Sequence, residues 1–442
     1  MLTSRAAATA RAMGYSRHFF ERLDAFAATD LEIRSMTDMP LSLRRRQILA
    51  GGAGALAGTG LVGLAGEAMA QAAAAPAPAA PRPLPAYAAW KDPNAVIVHS
   101  ATTIETRRAA FGTSGITPAE HLYIRNNLPA PDASIVANRD GWQVAFEGVH
   151  NPRTLTVAEL KSIGVETVAT VLQCSGNGRG YFPSKPSGTP WTVGAAGCVL
   201  WSGVPLRYVV ESLGGGAPGM SWLTGTGGEK LPDNVDPMSV VVERSVAIRA
   251  MNDALLAWEM NGAPLSLAHG GPLRLIVPGY NGINNVKYVK RIALTANESP
   301  AKIQQTGYRM TPIGAQSKAS EPSIQELNVK SFITGPAGEH QVKAGVVYVT
   351  GVAFSGGQPI RRVEISSDGG RNWIEAPFVG LDLGRFAWRH FAMPLRMSAG
   401  NYVLVSRATD GAGNVQPEQR LENAHGYSNN SWKDPAVLLT VV

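Results

Sequence analysis

The chain has 442 residues, with 40 Lys and Arg against 33 Asp and Glu and only 2 cysteines. A composition of 45% hydrophobic and 17% charged residues excludes wholesale disorder, and two cysteines exclude a disulfide scaffold, a zinc-ribbon array and a cysteine-ligated iron–sulfur cluster. The net charge of +7 comes without a basic run interleaved with aromatics, so nucleic acid is not an expected partner.

Residues 1–70 read as an export signal. Arg44-Arg45-Arg46-Gln47-Ile48-Leu49 precedes a weakly apolar Ala/Gly/Leu stretch, and Ala68-Met69-Ala70 has the small-x-small spacing of a signal-peptidase site. The pair Arg45-Arg46 followed by Ile48-Leu49 matches a twin-arginine signal. So many Gly and Ala make a poor lipid-spanning helix, so cleavage is expected, with no membrane association in the mature form. The twin-arginine route exports folded proteins, which predicts a periplasmic address and a cofactor loaded beforehand. Met36 and Met39 would give a normal n-region, so residues before Met36 are expected to be a start-site extension. Cleavage after Ala70 removes 8 Arg and 6 acidic residues and lowers the net charge to +5. Gly52-x-Gly54-x-x-Ala57 mimics a dinucleotide fingerprint, but no strand precedes it. Residues 71–94, rich in Ala and Pro, read as a flexible tether.

Residues 95–315 mix strand and helix signals. Thr156-Val157-Ala158-Glu159 is a capping box opening a short helix to Ile163. Glu166 to Gln173 reads as a strand running into Cys174. Pro205 to Leu213 reads as a helix stopped by Gly214, and Leu273 to Val277 as a short strand closed by Pro278-Gly279. No regular strand–helix repeat appears, so an α+β fold is expected. In residues 322–442, short strand patterns at Val346–Val349, Arg362–Ser366, Trp373-Ile374 and Tyr402–Val405 alternate with Gly, Asp and Asn turns. That spacing predicts an immunoglobulin-like β-sandwich. Ser366-x-Asp368-x-Gly370-x-x-Trp373 matches an Asp-box, but it occurs once, so a hairpin turn with a packed Trp is the better reading.

The chemistry gathers around one cysteine. Cys174 ends a strand and enters Ser175-Gly176-Asn177-Gly178-Arg179-Gly180, a Gly-rich turn that lets a ligand approach a thiolate closely. Cys198 lies among apolar residues and reads as inert; a Cys174–Cys198 disulfide would compete with any metal role. The chain has no G-x-S-x-G and no H-E-x-x-H.

With Leu172-Gln173-Cys174-Ser175-Gly176-Asn177-Gly178-Arg179, Trp191-Thr192-Val193-Gly194-Ala195 and Trp201-Ser202-Gly203-Val204-Pro205-Leu206, the chain resembles the sulfite oxidase family of molybdenum enzymes. Glu259-Met260-Asn261-Gly262, His269-Gly270-Gly271-Pro272-Leu273-Arg274, Val277-Pro278-Gly279, Asn285-Val286-Lys287-Tyr288 and Asp410-Gly411-Ala412-Gly413-Asn414-Val415-Gln416-Pro417 continue the resemblance in order. It implies a mixed α/β catalytic domain that binds molybdenum through a single pyranopterin (molybdopterin), followed by an immunoglobulin-like dimerisation domain. Cys174 would be the one protein ligand to the metal, a soft thiolate beside the dithiolene sulfurs. Arg125 and Arg179 would bind an oxyanion bidentately, Trp191 would be the pocket tryptophan, and Tyr308 would orient substrate or relay a proton. Tyr123, Arg125, Asn127, His269, Arg274, Asn285 and Lys287 fall at cofactor-binding positions. Asn127 stands where many members have His.

The resemblance implies oxidation of sulfite to sulfate, with electrons passed singly to an external c-type cytochrome, because the chain has no haem domain. It implies a homodimer, or a heterodimer with a cytochrome subunit. The nearest rival is a related enzyme acting on another sulfur substrate, such as a sulfane dehydrogenase subunit. A rival of another class is a non-catalytic periplasmic binding protein built on the sandwich, which would carry no metal.

Overall fold

The computed structural model describes residues 82–338 and 340–442; the segment read as an export signal and the first part of the segment read as a tether lie outside them. The described part of the tether is not a loose spacer. Ala86–Ala88 form a 3-10 turn, Leu84 and Tyr87 pack on a small core with Ile104 and Ile124, and Lys91 is 2% exposed. Composition pointed to flexibility here; a few apolar side chains seated on the domain override it.

Strands dominate the first domain. β1 (Val96–Ser100), β2 (Thr103–Thr106) and β3 (Ile124–Arg125) form an antiparallel sheet. β4 (Gln143–Glu147) and β5 (Arg153–Thr156) lead into α1 (Val157–Ile163), where both halves of the expected capping box form. β6 (Glu166–Gln173) and β7 (Ala196–Pro205) pair antiparallel from Glu166 opposite Gly203 to Gln173 opposite Ala196. α2 (Leu206–Ser212) begins one residue later than Pro205, which serves as its N-cap. β8 (Trp222–Gly227), α3 (Pro237–Val240), β9 (Glu243–Ala247), β10 (Leu255–Met260), β11 (Ala263–Pro264), β12 (Arg274–Ile276) and β13 (Val289–Thr295) follow. One sheet runs β11-β10-β7-β6, with β12 also on β10; the other runs β5-β4-β13-β8-β9, with β4 and β13 parallel. The second of these packs with the helices on the largest core, around Phe146, Leu206 and Ile292.

The last five residues of β6 are all buried, because both faces of the strand are covered. Leu172 packs with Trp191 and Trp201 on one side. Val171 joins Cys198, Phe111, Phe332, Phe354 and Trp388 on the other, in a cluster shared by the two domains. The cysteines therefore face opposite ways and both are free. Burial pushes the Cys198 thiol up to about 12, an inert core group as expected.

The second domain is the expected sandwich. β14 (Lys330–Gly335), β15 (Gly345–Phe354), β18 (Phe378–Val379) and β19 (Arg389–Met397) form a sheet ordered β14-β15-β19-β18; β16 (Ile360–Ser366), β17 (Ile374–Glu375), β20 (Gly400–Asp410) and β21 (Val437–Val441) form one ordered β17-β16-β20-β21. Inward residues such as Val349, Val363, Leu404 and Leu439 fill the space between them, with the strict alternation of β21 typical of a half-buried strand. The Asp-box segment is a turn: Asp368 Oδ1 accepts from the backbone N–H groups of Arg371 and Asn372 at 2.9 and 3.0 Å, and Trp373 packs edge-on against Trp432.

Candidate active site

Cys174 stands where β6 ends, its N–H bonded to Ala195 O at 2.9 Å. The following turn is internally tied. Asn177 N donates to Cys174 O, Asn177 Nδ2 to Gln173 Oε1, and Ala195 N to Asn177 Oδ1, all within 3.1 Å. Gly178 has φ +94°, which a side chain would strain, and a Cβ on Gly176 would lie 2.6 Å from the Arg179 guanidinium. The turn thus holds a thiol at a strand end with the next arginine folded back beside it.

Two cavities meet at this cysteine. The deeper one has Cys174, Tyr123, His269, Arg274, Lys287 and Glu229 in its walls. Its cations are deeply buried. Burial pushes the Lys287 ammonium well below its usual range, with Arg274 adding to the effect, and brings Arg274 down to about 10. Burial, together with Lys91 and Lys287, keeps His269 neutral. Lys287 Nζ donates to Asn126 Oδ1 at 2.5 Å and Ala268 O at 2.6 Å, Arg274 Nη1 donates to His269 O at 3.0 Å, and the Arg274 guanidinium lies 5.2 Å from the Trp201 ring centroid.

Two groups here escaped the sequence reading. Lys91, from the tether, donates to the carbonyls of Ala119 and Leu122 and sits 3.0 Å from His269 Nε2. Glu229 is partly buried with its Oε2 fully covered, and desolvation pushes its carboxyl up to about 7. Neither belongs to a local motif: Lys91 is a single lysine in an Ala/Pro stretch, and Glu229 follows a short glycine run.

The second cavity is the mouth. Arg125, Asn127, Cys174, Arg179, Tyr308 and Tyr427 line it. The two predicted arginines therefore do face one space beside the cysteine. Tyr308 donates its hydroxyl to Asn127 Oδ1 at 3.1 Å, so the Asn in place of His is a partner of the tyrosine. Two further groups, His425 and Tyr427, come from the sandwich domain and were not anticipated.

Two predicted residues serve the site indirectly. Trp191 lines neither cavity; it is fully buried behind Cys174, edge-on to Tyr123 and His99 at centroid distances of 6.3 and 5.3 Å. Its indole Nε1 is buried without a hydrogen-bond partner among the described residues. Asn285 borders the deep cavity, but its amide is spent on the backbone: Oδ1 accepts from Val277 N at 2.8 Å, and Nδ2 donates to the carbonyls of Tyr280 and Asn281.

Residues 129–303 match the oxidoreductase molybdopterin binding domain, and residues 321–438 match the Mo-co oxidoreductase dimerisation domain. The chain belongs to the sulfite oxidase family of molybdenum oxidoreductases, and its cofactor is molybdenum held by molybdopterin. It is 32% identical to sulfite oxidase of Arabidopsis thaliana over 357 residues, covering 74% of this chain and 89% of that one. It is 33% identical to sulfite oxidase of Gallus gallus, covering 72% of each. The crystal structure of the sulfane dehydrogenase SoxCD from Paracoccus pantotrophus superposes with a TM-score of 0.65 at 25% identity, covering 78% of this chain and 88% of that one.

The deep cavity fits this cofactor on its own chemistry. Asn126 Nδ2, Ser175 Oγ and Glu229 Oε2 are buried on its walls without a hydrogen-bond partner among the described residues, and such orphans call for a polar ligand. Arg274 and Lys287, with Lys91 behind His269, suit an anionic phosphate group, and Cys174 is the soft donor a molybdenum–dithiolene centre takes.

Proposed function

We propose that this chain is a periplasmic sulfite dehydrogenase that oxidises sulfite to sulfate and passes the electrons to an external c-type cytochrome. The observation that carries the reading is the mouth, where Arg125 and Arg179 share a cavity with Cys174. The reaction is sulfite plus water to sulfate, two protons and two electrons. The molybdenum–pyranopterin, when bound, supplies oxygen-atom transfer and holds the two electrons until they leave singly.

The chain's own residues do the rest. Cys174 anchors the metal; Tyr123, Asn127, His269, Arg274, Asn285 and Lys287 shape or charge the wall that holds the pterin. Arg125 and Arg179 capture the sulfite oxyanion, since guanidinium stays charged and binds oxygens bidentately. The Tyr308 hydroxyl donates its hydrogen bond to Asn127 Oδ1, which leaves its oxygen free to accept one from a protonated substrate or water at the mouth. The twin-arginine motif supports a periplasmic address, and the sandwich supports a homodimer.

Similarity to SoxCD favours a second reading, in which the substrate is a sulfane sulfur rather than sulfite. Purified, molybdenum-loaded protein separates the two. Cytochrome c should be reduced on addition of sulfite, with Cys174→Ser inactive. Reduction by thiosulfate alone would overturn the sulfite reading in favour of the second.

A further inference from the structure

The segment between β20 and β21 carries the sandwich domain into the active-site mouth. It is pinned to the Cys174 turn: Ser428 N donates to Ser175 O at 2.8 Å, Asn429 Nδ2 donates to Gly178 O at 3.0 Å, and Lys330 of β14 donates to Asn429 O at 2.7 Å. Arg179 in turn is held by this segment, its Nε donating to His425 O at 2.8 Å while Nη1 donates to Thr189 O at 3.2 Å. Gly426 permits the approach, because a Cβ there would lie 2.8 Å from Arg179 Cγ.

The centre of this arrangement is Tyr427. Its ring stacks on Tyr308 with centroids 5.2 Å apart and planes 14° from parallel. The Arg179 guanidinium carbon lies 5.3 Å from the same ring's centroid. One aromatic side chain of the second domain therefore touches the two mouth residues that capture anion and carry the hydroxyl. An arginine has many rotamers, and both the carbonyl bond to Nε and a ring face at cation–π distance reduce them.

We propose that Tyr427 is a positioning residue for oxyanion capture: its ring, between Arg179 and Tyr308, holds the guanidinium toward the space beside Cys174, so that the sandwich domain sets the anion affinity of the mouth. The proposal rests on the mouth being an oxyanion site, and it deepens that reading by adding the domain the sequence assigned to dimerisation. The ring is the acting part. Burial, with Tyr308 adding to it, holds the Tyr427 hydroxyl protonated far above neutral pH, so its charge plays no role.

The test is equilibrium binding of sulfate to the molybdenum-loaded protein by calorimetry, which needs no turnover. Tyr427→Leu should raise the sulfate Kd about tenfold, and Tyr427→Phe should stay within about twofold, because it keeps the ring. In an Arg179→Met background, Tyr427→Leu should cause no further loss, because the residue acts through the arginine. A structural defect alone would not produce that non-additivity. An unchanged Kd in Tyr427→Leu, an equal loss in Tyr427→Phe, or additive losses in the double variant would overturn the proposal. Normal sulfate binding together with absent sulfite turnover would instead sink the sulfite reading and leave the role of Tyr427 standing.

Discussion

The floor and the mouth of the active site both gather positive charge, but they hold it differently. On the floor, Lys287, Arg274 and Lys91 are buried deeply enough that their proton affinities fall, and polar atoms of Asn126, Ser175 and Glu229 lack partners. Burying cations in this way is costly unless an anion offsets it. In the mouth, burial works against the Arg125 guanidinium but Tyr308 and Cys174 beside it outweigh it and raise its proton affinity, while Arg179 is held by the carbonyls of His425 and Thr189. The floor thus suits a resident anion, and on the proposed reading the mouth receives and releases one.

Substitutions should separate the two. Cys174→Ser should have the largest effect, lowering sulfite turnover at least about a thousandfold in the cytochrome c assay, because it removes the one protein ligand to the metal. Arg179→Met should lower kcat/KM for sulfite about a hundredfold and leave molybdenum content near one per chain. A loss of metal in that variant would erase the distinction between mouth and floor. Lys91→Met should do the reverse and more mildly. It removes the donor facing His269 Nε2, so molybdenum occupancy should fall a few-fold, with KM for sulfite unchanged in the loaded fraction. A raised KM at normal occupancy would place Lys91 in the mouth's chemistry.

What the sequence revealed follows the same division by distance along the chain. Cys174 and Arg179 share one turn, so local pattern alone placed them side by side. The capping box at Thr156 and the alternating strands of the sandwich were legible for the same reason. Lys91 meets His269 from 178 residues away, and Tyr427 reaches Tyr308 only because the two domains dock through Phe332, Phe354 and Trp388. No periodicity or motif encodes such a meeting. Trp191 shows a related limit: its motif was legible, but where its ring lies is settled by packing against Tyr123 and His99, far from it in sequence.

The smallest effect tests the floor without any substrate. Glu229 has its carboxyl pushed up to about 7 by burial. The folded, cofactor-free protein therefore keeps a proton that the unfolded chain releases at ordinary carboxylate pH. Native stability must then fall as pH rises from about 4.5 to about 7 and remain lower above that, by on the order of 1 to 3 kcal/mol from this group. Glu229→Gln removes the titration and keeps the shape. In cofactor-free protein, its Tm should match the wild type near pH 4.5 and exceed it by a few degrees at pH 8. Lys287 tempers the gain, since the carboxylate favours the ammonium beside it. A Tm difference that does not change with pH would mean that Glu229 is solvated. The floor would then be a wet, mouth-like space rather than a cavity built around a resident anion.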